Sequence, residues 1–440
     1  MNVYTAVQWI HDRKKFADHP SLLRIQHLLY LLGNPERDIR AIHIAGTNGK
    51  GSTAAYLCQL FRQANYTVGT FTSPYIRNFN ERIRLNGESI SDTDLVSLIK
   101  MMQPLVEEMD RDPELTGITE FEIITAMMFY YFARKKPDIV IVEVGLGGMY
   151  DSTNVIANPL VTAISTIGFD HMDVLGDTIE EITKQKAGIF KPNVPVVLGR
   201  LPEEAQKICV QYAHELQCPV YLFGEDYHVD YLGRSTKRIG EKFTYKDSMR
   251  HAKRLVTPLI GKHQVENVAF ALQIFDVVAK RDYIRLSTNE IQHALNNVRW
   301  PGRMEIFQQE PLIILDGAHN EPAMACLVNT LETEYQHYHV HVLFSAIQTK
   351  NYPEMIRRLE QMENVDITLA TFDSPKSITI DQIKSYENDN RITISTNWRK
   401  SFFDMLKETD DDDMIVATGS LYFISEVRDF LMGSGIGYDE

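Results

Sequence analysis

Four places along the chain bring together residue types able to handle phosphate, metal ions or protons. The first is AIHIAGTNGKGST, Ala41 to Thr53. Glycines let a backbone approach an anion, N–H groups at a helix start point towards it, and a lysine neutralises its charge. The usual phosphate-loop pattern is Gly, four residues, then Gly-Lys-Ser/Thr in succession. Here two residues separate Gly46 from Gly49, and Gly51 stands between Lys50 and Ser52. The setting is still the required one, because an apolar strand ends at Ala45 and a helix is expected to open at about Ser52. Thr47, Asn48, Gly49, Lys50, Gly51 and Ser52 are therefore read as a phosphate-binding loop, with Ser52 in reach of a magnesium ion. The competing reading is a strand-to-helix turn with an incidental lysine.

The second place combines Glu143, which closes the strand DIVIVEV, with DHMD (Asp170 to Asp173), which follows PLVTAIS. Both fall at carboxyl ends of strands, where histidine and carboxylates suit a metal ion, although each alone is more often a strand end or a loop. Gly145, Gly147 and Gly148 allow close backbone approach but do not match a dinucleotide fingerprint. The third is Lys186 in KQKAGIF, which by itself reads as a solvated helix lysine. The fourth lies further on: Arg303 in PGRMEI, Asp316 and His319 in DGAHN, and Ser420 and Tyr422 in TGSLYF, the last two pairs after apolar strands.

These residues need a scaffold. IRAIHIAG, TVGTFT, DIVIVEVG, PLVTAIS and VPVVLG have the density of strands buried on both faces. Helical spacings lie between them, such as Ser52 to Asn65 and Glu120 to Lys135. This alternation predicts a parallel sheet covered by helices, with ligands at the strands' carboxyl ends. A second series, PLIILDGAHN, HVHVLFSA, DITLATF and MIVATGS, predicts another such unit. The boundary is placed near Val298, where Trp300-Pro301-Gly302 breaks a helix and turns the chain. This divides the chain into 1–298 and 299–440. Tyr227 to Lys253 is expected to form hairpins on the edge of the first unit, and ETDDDD (Glu408 to Asp413) a solvated loop.

Length and charge narrow the classes. At 440 residues two domains are expected. A formal charge of −14 is a poor match for a general nucleic-acid or anionic-membrane binder. Cys58, Cys209, Cys218 and Cys326 form no CxxC pair and read as reduced thiols. MNVYTAVQWIHDRKKF has charges where a signal peptide needs an apolar run, and IITAMMFYYFA is too short to span a bilayer. A cytoplasmic protein is expected.

The motifs also resemble a known family. GTNGKGS is similar to the phosphate loop of the Mur ligase superfamily. With TSPYIRNFNERIRLNG, EVGLGGMYDSTN, IGFDHMDVLGDTIEEITKQKAGIFK, GKHQVENVAFAL, WPGRMEI, DGAHN and TGSLYFISEV, in that order, the chain resembles folylpolyglutamate synthases, some of which are also dihydrofolate synthases. The resemblance implies an α/β architecture: a P-loop parallel-sheet ATPase domain, then a smaller Rossmann-like C-terminal domain. It implies ATP, L-glutamate and a folate as substrates, and an acyl-phosphate intermediate. It also implies two magnesium ions, held by Ser73, Glu143, His171 and a carbamylated Lys186. Asn267, Arg303 and Asp316 are then assigned to nucleotide, with Lys50, Lys186, Asp316 and His319 as catalytic positions. Pro74, Tyr75, Arg82, Asp151, Ser420 and Tyr422 are assigned to folate and glutamate. Met149 departs from the arginine often found in the family's loop. Gln348-Thr349-Lys350 departs from its acidic spacing and is assigned no role. A monomer is expected. Other readings are a dihydrofolate synthase, a peptidoglycan-type ligase, for which the 45 residues before Gly46 are too few, and a non-catalytic nucleotide switch.

Overall fold

The structure, a computed structural model, describes residues 2–14, 21–237 and 239–433, with the Lys253 side chain also set aside. Part of the N-terminal stretch read above against a signal peptide, residues 1 and 15–16, lies outside the described residues. The first sheet contains β1 (Ala41–Ala45), β2 (Val68–Phe71), β3 (Ile83–Leu85), β4 (Glu88–Ser89), β5 (Ile139–Glu143), β6 (Val161–Ile164), β7 (Val196–Leu198) and β8 (Val220–Leu222). Their order is β4-β3-β2-β5-β1-β6-β7-β8. The strands from β2 to β8 pair in parallel, and β3 and β4 add an antiparallel edge.

Every residue of β1, β2, β5, β6 and β7 is buried. The two-residue period explains why. Ile139 and Ile141 enter the core formed with Leu57, Phe61, Phe270 and Phe275, while Val140 and Val142 enter the one formed with Phe129 and Phe132. Both helices expected from the spacing are present, as Lys50–Gln63 and Glu120–Lys135. The second carries IITAMMFYYFA as a core helix. Among the described residues no helix is long and apolar enough to cross a membrane.

β1 lies between β5 and β6. The chain leaves β1 towards β2 on one side and reaches β6 on the other, which opens a crevice at the carboxyl end of β1. The phosphate loop fills that position.

The hairpins expected for Tyr227 to Lys253 are present. β9 (His228–Arg234), β10 (Glu241–Lys246) and β11 (His251–Thr257) pair antiparallel with their chain neighbours and form a sheet of their own, ordered β11-β10-β9. Alternating burial along β10 gives the reason. Phe243 and Tyr245 pack into the core shared with Phe270 and Phe275 of the helix Lys262–Asp282, so this sheet covers a helix instead of extending a sheet.

Arg250 secures the arrangement, donating to Asp276 through Nε at 3.1 Å and Nη2 at 2.7 Å. Burial raises the Asp276 carboxyl to about 6 although Arg250 opposes the shift. Arg250→Ala leaves that carboxylate without its partner and is expected to cost about 3–5 kcal/mol. Denaturant melts would check this, and a loss under about 1 kcal/mol would mean that the pair behaves like an exposed one.

The third sheet comprises β12 (Glu305–Gln309), β13 (Leu312–Leu315), β14 (His339–Phe344), β15 (Val365–Ala370), β16 (Ile392–Ser395) and β17 (Asp413–Thr418), ordered β12-β13-β17-β14-β15-β16. Only β12 runs antiparallel to its neighbour. The fold is thus α/β throughout, with two largely parallel sheets whose loops meet at one cleft.

Candidate active site

The cleft encloses about 290 Å³ and is walled by residues of both parallel sheets. Its floor is the phosphate loop. Gly49 has φ 85° and is the N-cap of the helix Lys50–Gln63, with no side-chain cap. First-turn N–H groups of that helix are therefore left to an anion. Gly51, the residue that breaks the usual pattern, has a steric explanation. A Cβ there would stand 2.5 Å from the Trp300 indole, which packs on the loop from the interdomain segment.

The loop is held rigidly from β6. Thr47 N–H donates to Thr166 O at 2.8 Å, Asn48 N–H to Thr166 Oγ1 at 2.9 Å, and Ser165 Oγ to Asn48 O at 2.6 Å.

Two lysines, Lys186 buried and Lys50 half-buried, converge on one carbonyl. Lys50 Nζ donates to Gly46 O at 2.8 Å and to Thr47 O at 3.1 Å, and Lys186 Nζ donates to Gly46 O at 3.1 Å. Burial lowers the Lys50 ammonium, and Glu143 and Asp170 oppose that shift. Lys186 is lowered to about 7 by burial and by the charge of Lys50. The plain reading of Lys186 as a solvated helix lysine is therefore corrected: it is buried in the cleft wall.

Glu143 is raised to about 7 by burial, against the pull of Lys50 and a 3.3 Å hydrogen bond from Ser73 N–H. A buried carboxylate with so little hydrogen bonding suits a hard cation. Ser73, Glu143, His171 and Lys186 all face the cleft or adjoin it. The set of hydroxyl, carboxylate and imidazole is chemically compatible with magnesium.

The opposite wall comes from β13. Asp316 accepts from Met304 N–H at 2.8 Å and Ala318 N–H at 2.9 Å, and lies next to Arg303. His319 donates from Nδ1 to Gly317 O at 2.7 Å, so a neutral ring carries its lone pair on Nε2. Burial lowers that imidazole to about 4, which keeps it neutral. Asn267 and Trp300 line the same cavity.

Four of the expected substrate residues do not line it. Asp151 is consumed by its own loop, accepting from Leu146 N–H at 2.9 Å, Thr153 N–H at 3.0 Å and Thr153 Oγ1 at 2.5 Å. Arg82 turns towards Glu120 and lies over the rings of Tyr75 and Phe79, at 5.2 and 5.5 Å. Ser420 is buried behind Leu421, which does reach the cavity, and Tyr422 is exposed beside Lys376. Pro74 and Tyr75 do line it.

Lys350 is the residue missed in the sequence. Its Nζ pairs with Asp170 and donates to His171 Nε2 at 3.4 Å. Burial alone would raise the Asp170 carboxyl, but Lys350, His171 and His319 together hold it well below the usual range. Asn320 completes the bridge, donating to Asp170 Oδ2 at 2.9 Å and exchanging amide hydrogen bonds of 3.1 Å with Asn48. The signal in the sequence is a lysine in the segment that follows the carboxyl end of β14. Lys350→Ala is expected to loosen this bridge and lower ATP turnover about 10–100-fold, with little change in melting temperature. Unaltered turnover would make the bridge incidental.

Comparison with known proteins follows the same outline. Residues 44–275 match the Mur ligase middle domain, and residues 302–421 match the Mur ligase glutamate ligase domain. A dihydrofolate synthase/folylpolyglutamate synthase of Bacillus subtilis is 40% identical over 97% of this chain and 99% of its own. A solved FPGS–AMPPCP–folate complex superposes with a TM-score of 0.87 at 32% identity, covering 98% of this chain and 100% of that one. Mycobacterium tuberculosis folylpolyglutamate synthase complexed with ADP gives 0.88 at 28% identity, covering 99% and 98%.

Proposed function

The chain belongs to the Mur ligase family, and on that premise we propose that it joins L-glutamate to the carboxylate of a (tetrahydro)folate. ATP is converted to ADP and phosphate through an acyl phosphate. The observation that carries this reading is a single cleft in which a phosphate loop with Lys50 and Lys186 faces Arg303, Asp316 and His319 from the second parallel sheet. The proposal takes residues 1–298 as the ATP-binding unit and 299–440 as the glutamate-ligase unit, in a monomeric cytoplasmic enzyme.

A carboxylate resists amines because its leaving group would be oxide, whereas phosphorylation supplies a stable one. Its attack on ATP brings two anions together. Lys50, Arg303 and the first-turn N–H groups offset that repulsion at fixed positions in a dry site. Ser73, Glu143, His171 and Lys186 would hold magnesium, which offsets phosphate charge and orients the γ-phosphoryl group.

Lys186 would join that set as a carbamate. With its ammonium lowered to about 7, a large share of the amine is neutral at physiological pH. The neutral nitrogen bonds to the carbon of CO₂ and releases a proton, which turns a cation into an anion. His319 Nε2 is placed to accept a hydrogen bond or a proton from the attacking glutamate amine.

Pro74 and Tyr75 offer an apolar wall for a pterin. Arg82 is assigned to a folate carboxylate, which requires its guanidinium to turn from Glu120 towards the cleft. Asp151 acts by shaping its loop, and Ser420 and Tyr422, on either side of Leu421, are assigned to the glutamate side.

Phosphate release tests the proposal. ATP, glutamate and tetrahydrofolate together should give ADP formation that stops when any one is left out. A second activity, addition of glutamate to dihydropteroate, is favoured by the double name of the B. subtilis relative, and a parallel assay with dihydropteroate decides it. Nucleotide binding with no turnover in either assay would favour a non-catalytic switch.

A further inference from the structure

Two sequence features take no part in this chemistry: the histidines of QHYHVHV and the acidic run ETDDDD. The fold brings them together at the amino-terminal edge of the six-stranded sheet, away from the strand ends that face the cleft. His339 and His341 are two residues apart on β14, so both leave the same face. Parallel pairing sets His341 opposite Asp366 of β15 and His339 opposite Asp413 of β17.

His339 Nε2 is 2.7 Å from Asp366 Oδ2, and His341 Nε2 is 3.7 Å from Asp413 Oδ2. The two imidazole rings are 5.0 Å apart. One donor atom each from His339, His341 and Asp366 lies within 4.8 Å of the others. The buried Nε2 of His341 has no hydrogen-bond partner among the described residues.

We propose that these residues bind a borderline transition-metal dication of the zinc class. Two imidazoles with a carboxylate favour such an ion over magnesium, which prefers oxygen ligands and its own waters. Metal–ligand bonds of about 2.0–2.1 Å put neighbouring donors in a tetrahedral shell roughly 3.3 Å apart. The His339–Asp366 contact must open slightly and the wider gaps must close by up to about 1.5 Å, within side-chain rotation on a partly exposed face.

Asp413 either takes a further coordination position or holds the second ring nitrogen of His341, as carboxylates do for metal-bound histidines. Asp410, Asp411 and Asp412 precede it, and His339 N–H donates to Asp412 O at 2.9 Å. The acidic run therefore gives the approach a negative field. The ion ties together the starts of β14, β15 and β17. Two of these strands lead at their other ends to Lys350 and Ser420.

Cobalt(II) is the probe, added to the full chain with magnesium and ADP present so that cleft positions are filled. The expected result is one further equivalent bound, with the visible absorption of a four-coordinate nitrogen–oxygen site, displaced by zinc. His339→Ala and Asp366→Asn should each weaken binding at least about tenfold and remove the rise in melting temperature that zinc gives. His337→Ala, whose ring packs on Tyr338, should do neither. These variants lie away from the cleft, so ligase activity is not the readout. Cobalt binding that is absent, or unchanged in both His339→Ala and Asp366→Asn, overturns the proposal and leaves two imidazole–carboxylate surface pairs.

Discussion

Replacing Lys50 with alanine should lower turnover at least about a thousandfold, the upper range for loss of one fixed electrostatic group at a transition state. The side chain lies half-buried across Gly46 O and Thr47 O. Its charge is set against those of Glu143 and Asp170, and in the proposed reaction it would offset the charge of the ATP phosphates. Folding should change little, because removing a half-buried ammonium also removes its desolvation penalty. Lys50→Arg should not restore activity, since a planar guanidinium cannot occupy a pocket shaped by two carbonyls. Steady-state kinetics with a thermal melt checks both points. Turnover within tenfold of the parent, with an intact fold, would remove this loop from the chemistry.

Lys186→Ala should have an effect of similar size for a different reason. The proposed carbamate would supply an anion in the cleft wall, and alanine removes both that anion and the amine that forms it. Parent enzyme should respond to bicarbonate after CO₂ has been stripped, and Lys186→Ala should not. Mass spectrometry of native protein should show the added carbon dioxide. An enzyme indifferent to bicarbonate, with an unmodified Lys186, would leave the residue as a plain cation.

A pH effect follows from the same lysine. Its folded pKa, about 7, lies below the usual 10.5, so between these values the unfolded chain binds more protons than the folded one. Stability from this group therefore rises with pH across that window. Below about pH 7 the folded chain carries the full penalty of the buried ammonium. Comparing melts of parent and Lys186→Ala across this range isolates the contribution, and carbamylation would enlarge it by removing neutral amine.

Much of this architecture could be read in the chain because local physics decided it. AIHIAG and DIVIVEV are apolar on both alternating faces, and only a doubly covered strand buries both. The glycines of the phosphate loop and the charged residues just past strand ends then mark one edge of the sheet. Lys350 and the four residues outside the cavity show where that logic stops. Asp151, Arg82 and Lys350 are all charged residues outside the main strands and helices, and spacing does not tell them apart. Asp151 spends its carboxylate on its own backbone, Arg82 turns to Glu120, and Lys350 reaches across to Asp170.

By itself, then, the sequence determined the strand–helix alternation, the phosphate loop and the family motifs, because each depends on residues close together in the chain. Only the tertiary structure decided that Trp300 occupies the space left by Gly51, that Lys50 and Lys186 share one carbonyl, and that Lys350 and Asn320 bridge the cleft. Those contacts join residues more than a hundred positions apart. Burial there, not residue type, sets which groups carry charge and which remain free to react.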